Sequence, residues 1–246
     1  MNIIAIANHK GGVGKTATAH ALGAILATQG RRVLLVDADP QSSLTSAAGV
    51  HAEGQSLAEV LSGEITARRA IQTISDNLDL LPADIALANT ELSLITRMNR
   101  ENQFKRVLQG LDYDYILIDC PPSLSILTIN ALTVAAGVLI PTQPQIADLR
   151  GMNLFMQSLD KIKAELNPQL QIIGVLLTFY DARLNHHREA LAAMTGAGLP
   201  VLNTTIGRSV RVAEAMGAGQ SVVTFEPTNK QAKAYKELGK ELFNHG

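Results

Sequence analysis

Short, predominantly apolar runs alternate along the chain with stretches whose apolar residues recur every three or four positions. Ile3 to Ala7, Arg32 to Val36, Leu78 to Leu81 (bracketed by Asn77 and Pro82), Tyr115 to Ile118, Gly137 to Pro141 and Leu170 to Leu177 are the runs. Lacking a polar face, they predict strands covered on both sides. Val201 to Ile206 predicts a short edge strand. Ala17 to Thr28 carries Ala21, Leu22, Ile25 and Leu26 on one helical face, and Gly30 stops it. The periodicity further predicts helices over Ser56 to Ser62, Ala67 to Ile74, Ile85 to Thr96, Gln103 to Leu111, Ile126 to Ala135, Leu149 to Leu166, His186 to Met194, Val210 to Met216 and Lys230 to Phe243. Strand alternating with helix predicts an α/β fold, a doubly wound and mostly parallel sheet with helices on both faces. There is no internal repeat or low-complexity linker, so residues 1–246 are expected to form a single domain.

Composition narrows the class. A chain of 246 residues, 46% hydrophobic and 17% charged, can bury one sizeable core. The net charge of −1 leaves room for a local basic face without demanding one. The single cysteine, Cys120, excludes a disulfide framework and any multi-cysteine metal site. No apolar run is long enough to span a bilayer, and the N-terminus lacks a signal-peptide pattern, so the expectation is a cytoplasmic protein.

The chemistry is concentrated where the first strand hands over to the first helix, at His9-Lys10-Gly11-Gly12-Val13-Gly14-Lys15-Thr16. Strand, glycine loop and helix form the context of a phosphate-binding loop, in which backbone N–H groups and the helix N-terminus surround an anion. Lys15 is expected to reach the β- and γ-phosphates, and Thr16 to give its hydroxyl to Mg²⁺. The ordinary pattern has glycine where this chain has His9, and Lys10 is a second lysine. The bland alternative, a glycine-rich turn with a solvated lysine, fits the flanking elements poorly. In an open parallel sheet ligands bind beyond the strand C-termini, so Asp37, Asp39 and Asp119 should converge on the loop. Asp119 fits the acid that holds Mg²⁺, and Asp37 or Asp39 could hold or orient a water.

Four motifs, Lys10-Gly-Gly-Val-Gly-Lys-Thr16, Asp37-Ala-Asp-Pro-Gln41, Ile118-Asp-Cys-Pro-Pro-Ser123 and Leu176-Leu-Thr-Phe-Tyr-Asp-Ala-Arg183, stand in order with matching intervals. In them, and from Met1 through Phe243, the chain resembles the ParA (Soj-type) partition ATPases of the deviant-Walker-A group that includes MinD. It looks like the short form without an N-terminal DNA-reading domain. The resemblance implies ATP and Mg²⁺ as cofactors. It implies nucleotide contacts from Lys10, Gly11, Gly12, Val13, Gly14, Lys15, Thr16 and Ala17, with adenine near Phe225 to Thr228 and Pro227 closing the pocket. It implies that Lys10 crosses to a partner subunit's phosphates in an ATP-bound homodimer, that Lys10, Lys15 and Asp39 are catalytic, and that Thr16, Asp39 and Asp119 attend the metal. Many relatives carry a second threonine where this chain has Ala17.

Between Asp181 and Arg211, four arginines (Arg183, Arg188, Arg208, Arg211) outnumber Asp181 and Glu189, with His186 and His187 beside them. Such a patch suits phosphates and not base edges; the alternative is a solvated surface of scattered charge. The resemblance assigns Arg183 and Arg211 to non-specific double-stranded DNA, and Arg208 joins them in the run Gly207-Arg-Ser-Val-Arg211, where Gly207 replaces the relatives' usual proline. His186-His187 lacks a third ligand for a metal. The expected cycle is an ATP dimer on nucleoid DNA, released when a ParB-type or other adaptor protein stimulates hydrolysis, with a plasmid, a chromosome or a protein assembly as cargo. Two rivals are weaker: one cysteine cannot bind the cluster of a nitrogenase iron-protein-type reductase, and membrane cycling of the MinD kind needs a basic amphipathic tail. Ala232, Tyr235, Leu238 and Leu242 instead predict a final helix packed on the sheet, so no membrane is expected.

Overall fold

The computed structural model describes residues 2–146 and 149–243. The chain opens with β1 (Asn2–Ile6), α1 (Lys15–Thr28) and β2 (Val33–Asp37), followed by the short helices α2 (Ser43–Ala47), α3 (Leu57–Ser62) and α4 (Ala67–Ala70). The hairpin β3 (Gln72–Ser75) and β4 (Leu78–Leu81) leads to α5 (Ala86–Ile95), α6 (Gln103–Leu108), β5 (Tyr115–Asp119), α7 (Ile126–Val134) and β6 (Gly137–Thr142). Then come α8 (Leu149–Glu165), β7 (Gln171–Thr178), α9 (Asn185–Gly196), β8 (Val201–Ile206), α10 (Val210–Gly217), α11 (Val222–Phe225) and α12 (Lys230–Phe243).

The eight strands form one sheet in the order β3-β4-β2-β5-β1-β6-β7-β8, parallel throughout except for the β3–β4 pair. Successive side chains of a strand point to opposite faces, and β1 displays this directly. Ile3, Ala5 and Ala7 join one core cluster with Leu57, Leu87, Phe104, Leu127 and Phe155, whereas Ile4 and Ile6 join the other with Leu22, Val223, Tyr235 and Leu238. Helices α3 and α5 to α9 therefore cover one face, and α1 with α10 to α12 the other. The packing expected of the closing helix is present: Ala232, Tyr235 and Leu238 are buried, and Leu242 packs beside them. Residues 244–246, which follow it, lie outside the described residues.

Two expectations need correction. The helix expected over Ala67 to Ile74 ends at Ala70, and Gln72–Ser75 is an edge strand. Its residues alternate between half-buried and exposed, and Asn77 at φ +62 turns the chain so that Ser75 pairs with Leu78. A period of two thus prevails over the helical spacing of Ala67, Ala70 and Ile74. Helix α1 is also buried on nearly all sides and not along one face: it lies between the sheet and α11–α12, and a Cβ at Gly23 would come within 2.7 Å of Leu35.

Candidate active site

The registers of β1, β5 and β2 pair Ile6 with Asp119 and Asp119 with Asp37, bringing three strand ends level at one edge of the sheet. The glycine loop leaves β1 there and turns into α1 through Gly12 (φ +67) and Gly14 (φ +84), conformations that glycine adopts without a Cβ clash. Neighbouring strand ends hold the loop. Asn8, buried, donates to Pro141 O at 2.7 Å and accepts from Lys10 N at 3.0 Å. The Thr178 hydroxyl lies 2.8 Å from Val13 O and 3.0 Å from Thr142 O, and Gln143 donates to Gly12 O at 3.0 Å. The sequence does not show these roles, because the bonds of Asn8 to Pro141, Gln143 to Gly12 and Thr178 to Val13 each span more than 130 positions of chain.

Lys15 is buried and its ammonium donates to Lys10 O at 3.1 Å; burial lowers its pKa, opposed by the charge of Asp119. Thr16 donates to Asp119 Oδ2 at 2.7 Å, while Asp119 Oδ1 is buried without a partner. Burial, reinforced by the charge of Asp37, pushes the Asp119 carboxyl well above its usual range. A hydroxyl and an orphaned carboxylate oxygen side by side are the donor set a magnesium ion accepts, the rest of its shell coming from phosphates and water. Among the described residues no three His, Cys, Asp or Glu side chains cluster as a metal cage.

The two aspartates after β2 separate cleanly. Asp37 is fully buried and accepts from Thr45 N and Thr45 Oγ1, both at 2.8 Å, and from Asp39 N at 3.2 Å. Burial pushes its carboxyl up to about 6. Asp37 is thus a structural anchor, which removes it as the residue that handles water. The Asp39 carboxylate accepts from Gln41 N, at 2.9 Å, and Asp39 lines the cavity over the loop.

That cavity, about 380 Å³, is walled by the loop residues Gly11 to Ala17 and, opposite them, by Phe179, Gly207, Ser209, Val212 and Met216. Pro227 is exposed and lies outside this lining, whose far wall is made by the β7 and β8 exits with α10. Sequence distance concealed that wall. Lys10 is likewise outside the lining and donates to Gln145 Oε1 at 2.8 Å. A larger cleft of about 730 Å³ lies between α1, the β3–β4 turn and Gly219 to Thr224, but it offers no lysine or arginine to a polyphosphate.

Arg208 and Arg211 lie in the segment Gly207 to Met216 that walls the nucleotide cavity, and Arg183 follows β7 four residues beyond Phe179. Arg183 is paired with Asp181 at 2.7 Å, and this holds the Asp181 carboxyl far below its usual range. Arg211 meets Glu214 at 2.7 Å and Glu226 at 3.2 Å. Arg208 lies over the Phe179 ring, 5.3 Å from its centroid. The His186 and His187 rings touch at 4.5 Å, and the Asp181 N–H donates to His187 Nδ1, which is an internal use of that imidazole and not a metal site.

A family model described as "AAA domain" matches residues 1–172. The chain is 41% identical to the sporulation initiation inhibitor protein Soj of Bacillus subtilis, over 99% of each chain. The chain belongs to the Soj/ParA family. It is also 39% identical to the chromosome partitioning protein ParA of Caulobacter vibrioides, over 99% of this chain and 94% of that one. Among solved structures, one named cobyrinic acid a,c-diamide synthase from Mycobacterium smegmatis, with bound ATP analogue and magnesium, superposes with a TM-score of 0.86 at 38% identity, covering 100% of this chain and 95% of that one. The protein is accordingly an ATP-hydrolysing phosphate-loop enzyme of the ParA family that uses ATP and Mg²⁺. Among the described residues no helix is long and apolar enough to cross a membrane.

Proposed function

We propose that this ParA-family ATPase works in DNA partition as an ATP-switched homodimer: the ATP form binds duplex DNA without sequence preference, and a ParB-type adaptor stimulates hydrolysis and releases it from the nucleoid. The observation that carries the reading is that one wall of the nucleotide cavity, Gly207 to Met216, is also the segment bearing Arg208 and Arg211. Nucleotide and DNA would thereby act on the same few residues. The Arg183 and Arg211 ion pairs are largely exposed and so worth little, which leaves both guanidiniums able to exchange a carboxylate for a DNA phosphate.

In the cycle, Lys15 leaves the Lys10 carbonyl for the β- and γ-phosphates, and Thr16 with Asp119 holds Mg²⁺. The ion neutralises the phosphate charge; Asp39 positions the attacking water on the open side of the cavity. Lys10 donates to Gln145 outside its own cavity; the family resemblance supports a role for its ammonium at the phosphates of a second subunit, which would make ATP the dimerisation signal. The name of the mycobacterial structure suggests amide synthesis instead. If the nitrogen came from glutamine that chemistry would call for an accessible thiolate, but Cys120 is 1% exposed and burial raises its thiol pKa.

The test is a titration of random-sequence duplex DNA with and without ATP. Affinity should require ATP, and Arg211→Glu should weaken binding to all sequences alike while ATP-dependent dimers persist. The slope of log affinity against log salt should fall by about two, one unit for each copy in the dimer. Binding indifferent to ATP, or an unchanged slope, would defeat the reading. A pull-down with the ATP-bound form identifies the adaptor, and through it the cargo.

A further inference from the structure

Strands β7 and β8 deliver their exits side by side, because Thr178 and Ile206 are partners in the register. Tyr180 N donates to Ile206 O at 3.0 Å and Gly207 N to Gln231 Oε1 at 2.8 Å, so both exits are pinned. There is no slack at Gly207: a Cβ there would lie 2.9 Å from Gln231 Nε2 and 3.3 Å from Tyr180 O. Phe179, the first residue beyond β7, has φ +54, a left-handed conformation that an aromatic residue keeps only where its surroundings impose it. The turn makes Phe179 part of the cavity wall, opposite the phosphate loop, and also brings it beneath the Arg208 guanidinium at 5.3 Å. The residues on either side of Arg208, Gly207 and Ser209, line the same cavity. Arg183 and Arg211 are held by carboxylates, whereas Arg208 is held by the ring that walls the nucleotide site.

We propose that Phe179 is a positioning residue: it makes the contact of Arg208 with DNA phosphate depend on whether the nucleotide cavity is filled. The inference rests on the DNA-binding reading above and adds the element that transmits it. A bound nucleotide packs against the cavity side of the Phe179 ring and restricts its rotation, and the guanidinium stacked on that ring is restricted with it. In the empty cavity the ring has room to turn, and ordering Arg208 on a phosphate then costs side-chain entropy that the filled cavity has already removed. Occupancy thus changes the affinity for DNA through a ring that need not touch DNA itself.

The experiment measures duplex affinity and salt slope for the parent, Phe179→Leu, Phe179→Met, Phe179→Tyr, Arg208→Ala and the double variant Phe179→Leu/Arg208→Ala. Each protein is first saturated with a non-hydrolysed ATP analogue, its occupancy fixed by calorimetry, and each is measured again without nucleotide. Phe179→Leu, Phe179→Met and Arg208→Ala should each lose about tenfold in nucleotide-bound affinity per dimer, with a slope smaller by about two. The double variant should be no weaker than either single one, and Phe179→Tyr, which restores the ring, should match the parent. A merely structural Phe179 would lower both affinities equally, leaving their ratio unchanged, and that result overturns the proposal. So does full additivity in the double variant, or parental affinity and slope in Phe179→Leu and Phe179→Met. If the parent itself binds DNA indifferently to nucleotide, the DNA reading falls and this proposal with it; if only the Phe179 variants are unaffected, the DNA reading stands alone.

Discussion

The Thr16 hydroxyl donates to one oxygen of Asp119 at 2.7 Å and leaves the other oxygen of that carboxylate buried without a partner. A buried carboxylate in this condition is costly unless a cation completes it. Asp119→Asn should therefore lower Mg²⁺-dependent ATP affinity at least about tenfold, while affinity for Mg²⁺-free nucleotide changes little. Calorimetry with and without Mg²⁺ separates the two. Equal losses in both titrations would mean that Asp119 shapes the loop and does not hold the ion.

Asp37 and Asp39 should separate as stability and chemistry. Removing the Asp37 carboxylate strands the Thr45 amide and hydroxyl, and that hydroxyl in turn accepts from Ala83 N at 2.9 Å. Asp37→Ala should cost about 3 kcal/mol in urea unfolding. Asp39→Ala should unfold with the parent and fail to turn over ATP even with adaptor present. The reverse pattern would exchange their roles.

The sequence order of these elements explains what could be read from it. Strand ends and the loop were legible because apolar runs, glycines and carboxylates are local signals; every long strand of the sheet falls where its run predicts. Asp37 and Asp39 were separable only through the family resemblance, since two positions apart at a strand end they differ only in whether Thr45 folds back over one of them. The wall made by Phe179, Gly207 and Met216 was hidden because β7, β8 and α10 meet only in the folded sheet. The edge strand Gln72–Ser75 was hidden by Ala67 and Ala70, whose helical spacing runs into it.

His20, on α1 beyond the loop, is 2% exposed with its Nδ1 unpartnered, and burial pushes it down to about 4 from 6.5. The folded protein keeps it neutral while the unfolded chain takes up a proton below pH 6.5. Its contribution to stability is therefore intact above 6.5 and is lost as the pH falls toward 4. Between pH 7.5 and 5 the parent should lose about 2 kcal/mol more unfolding free energy than His20→Leu. Asp37, pushed up to about 6, acts in the opposite direction but equally in both proteins, and so cancels. Parallel stability curves for the two proteins would refute the assignment.

Lys10 and Lys15 sit five residues apart on one loop yet have opposite surroundings, and their substitutions should differ accordingly. Lys15 is buried and donates to the Lys10 carbonyl, an acceptor that a phosphate group can replace with a stronger, charged one. Lys15→Ala should abolish ATP binding outright with little change in unfolding, since burial already opposes the charge it removes. Lys10 reaches instead to Gln145, outside the cavity that the loop encloses. If its target is a phosphate of another subunit, Lys10→Ala should bind ATP as the parent does, remain monomeric in light scattering with ATP, and hydrolyse at least about a hundredfold more slowly, the scale for losing a transition-state cation. Mixing Lys10→Ala with Asp39→Ala gives a sharper test. In a mixed dimer one site would receive the intact Lys10 of the Asp39→Ala chain while keeping its own Asp39, so one site in two regains turnover. Recovered hydrolysis in the mixture, absent from either variant alone, is the expected outcome. If the mixture stays inactive while its dimers form normally, Lys10 acts within its own chain.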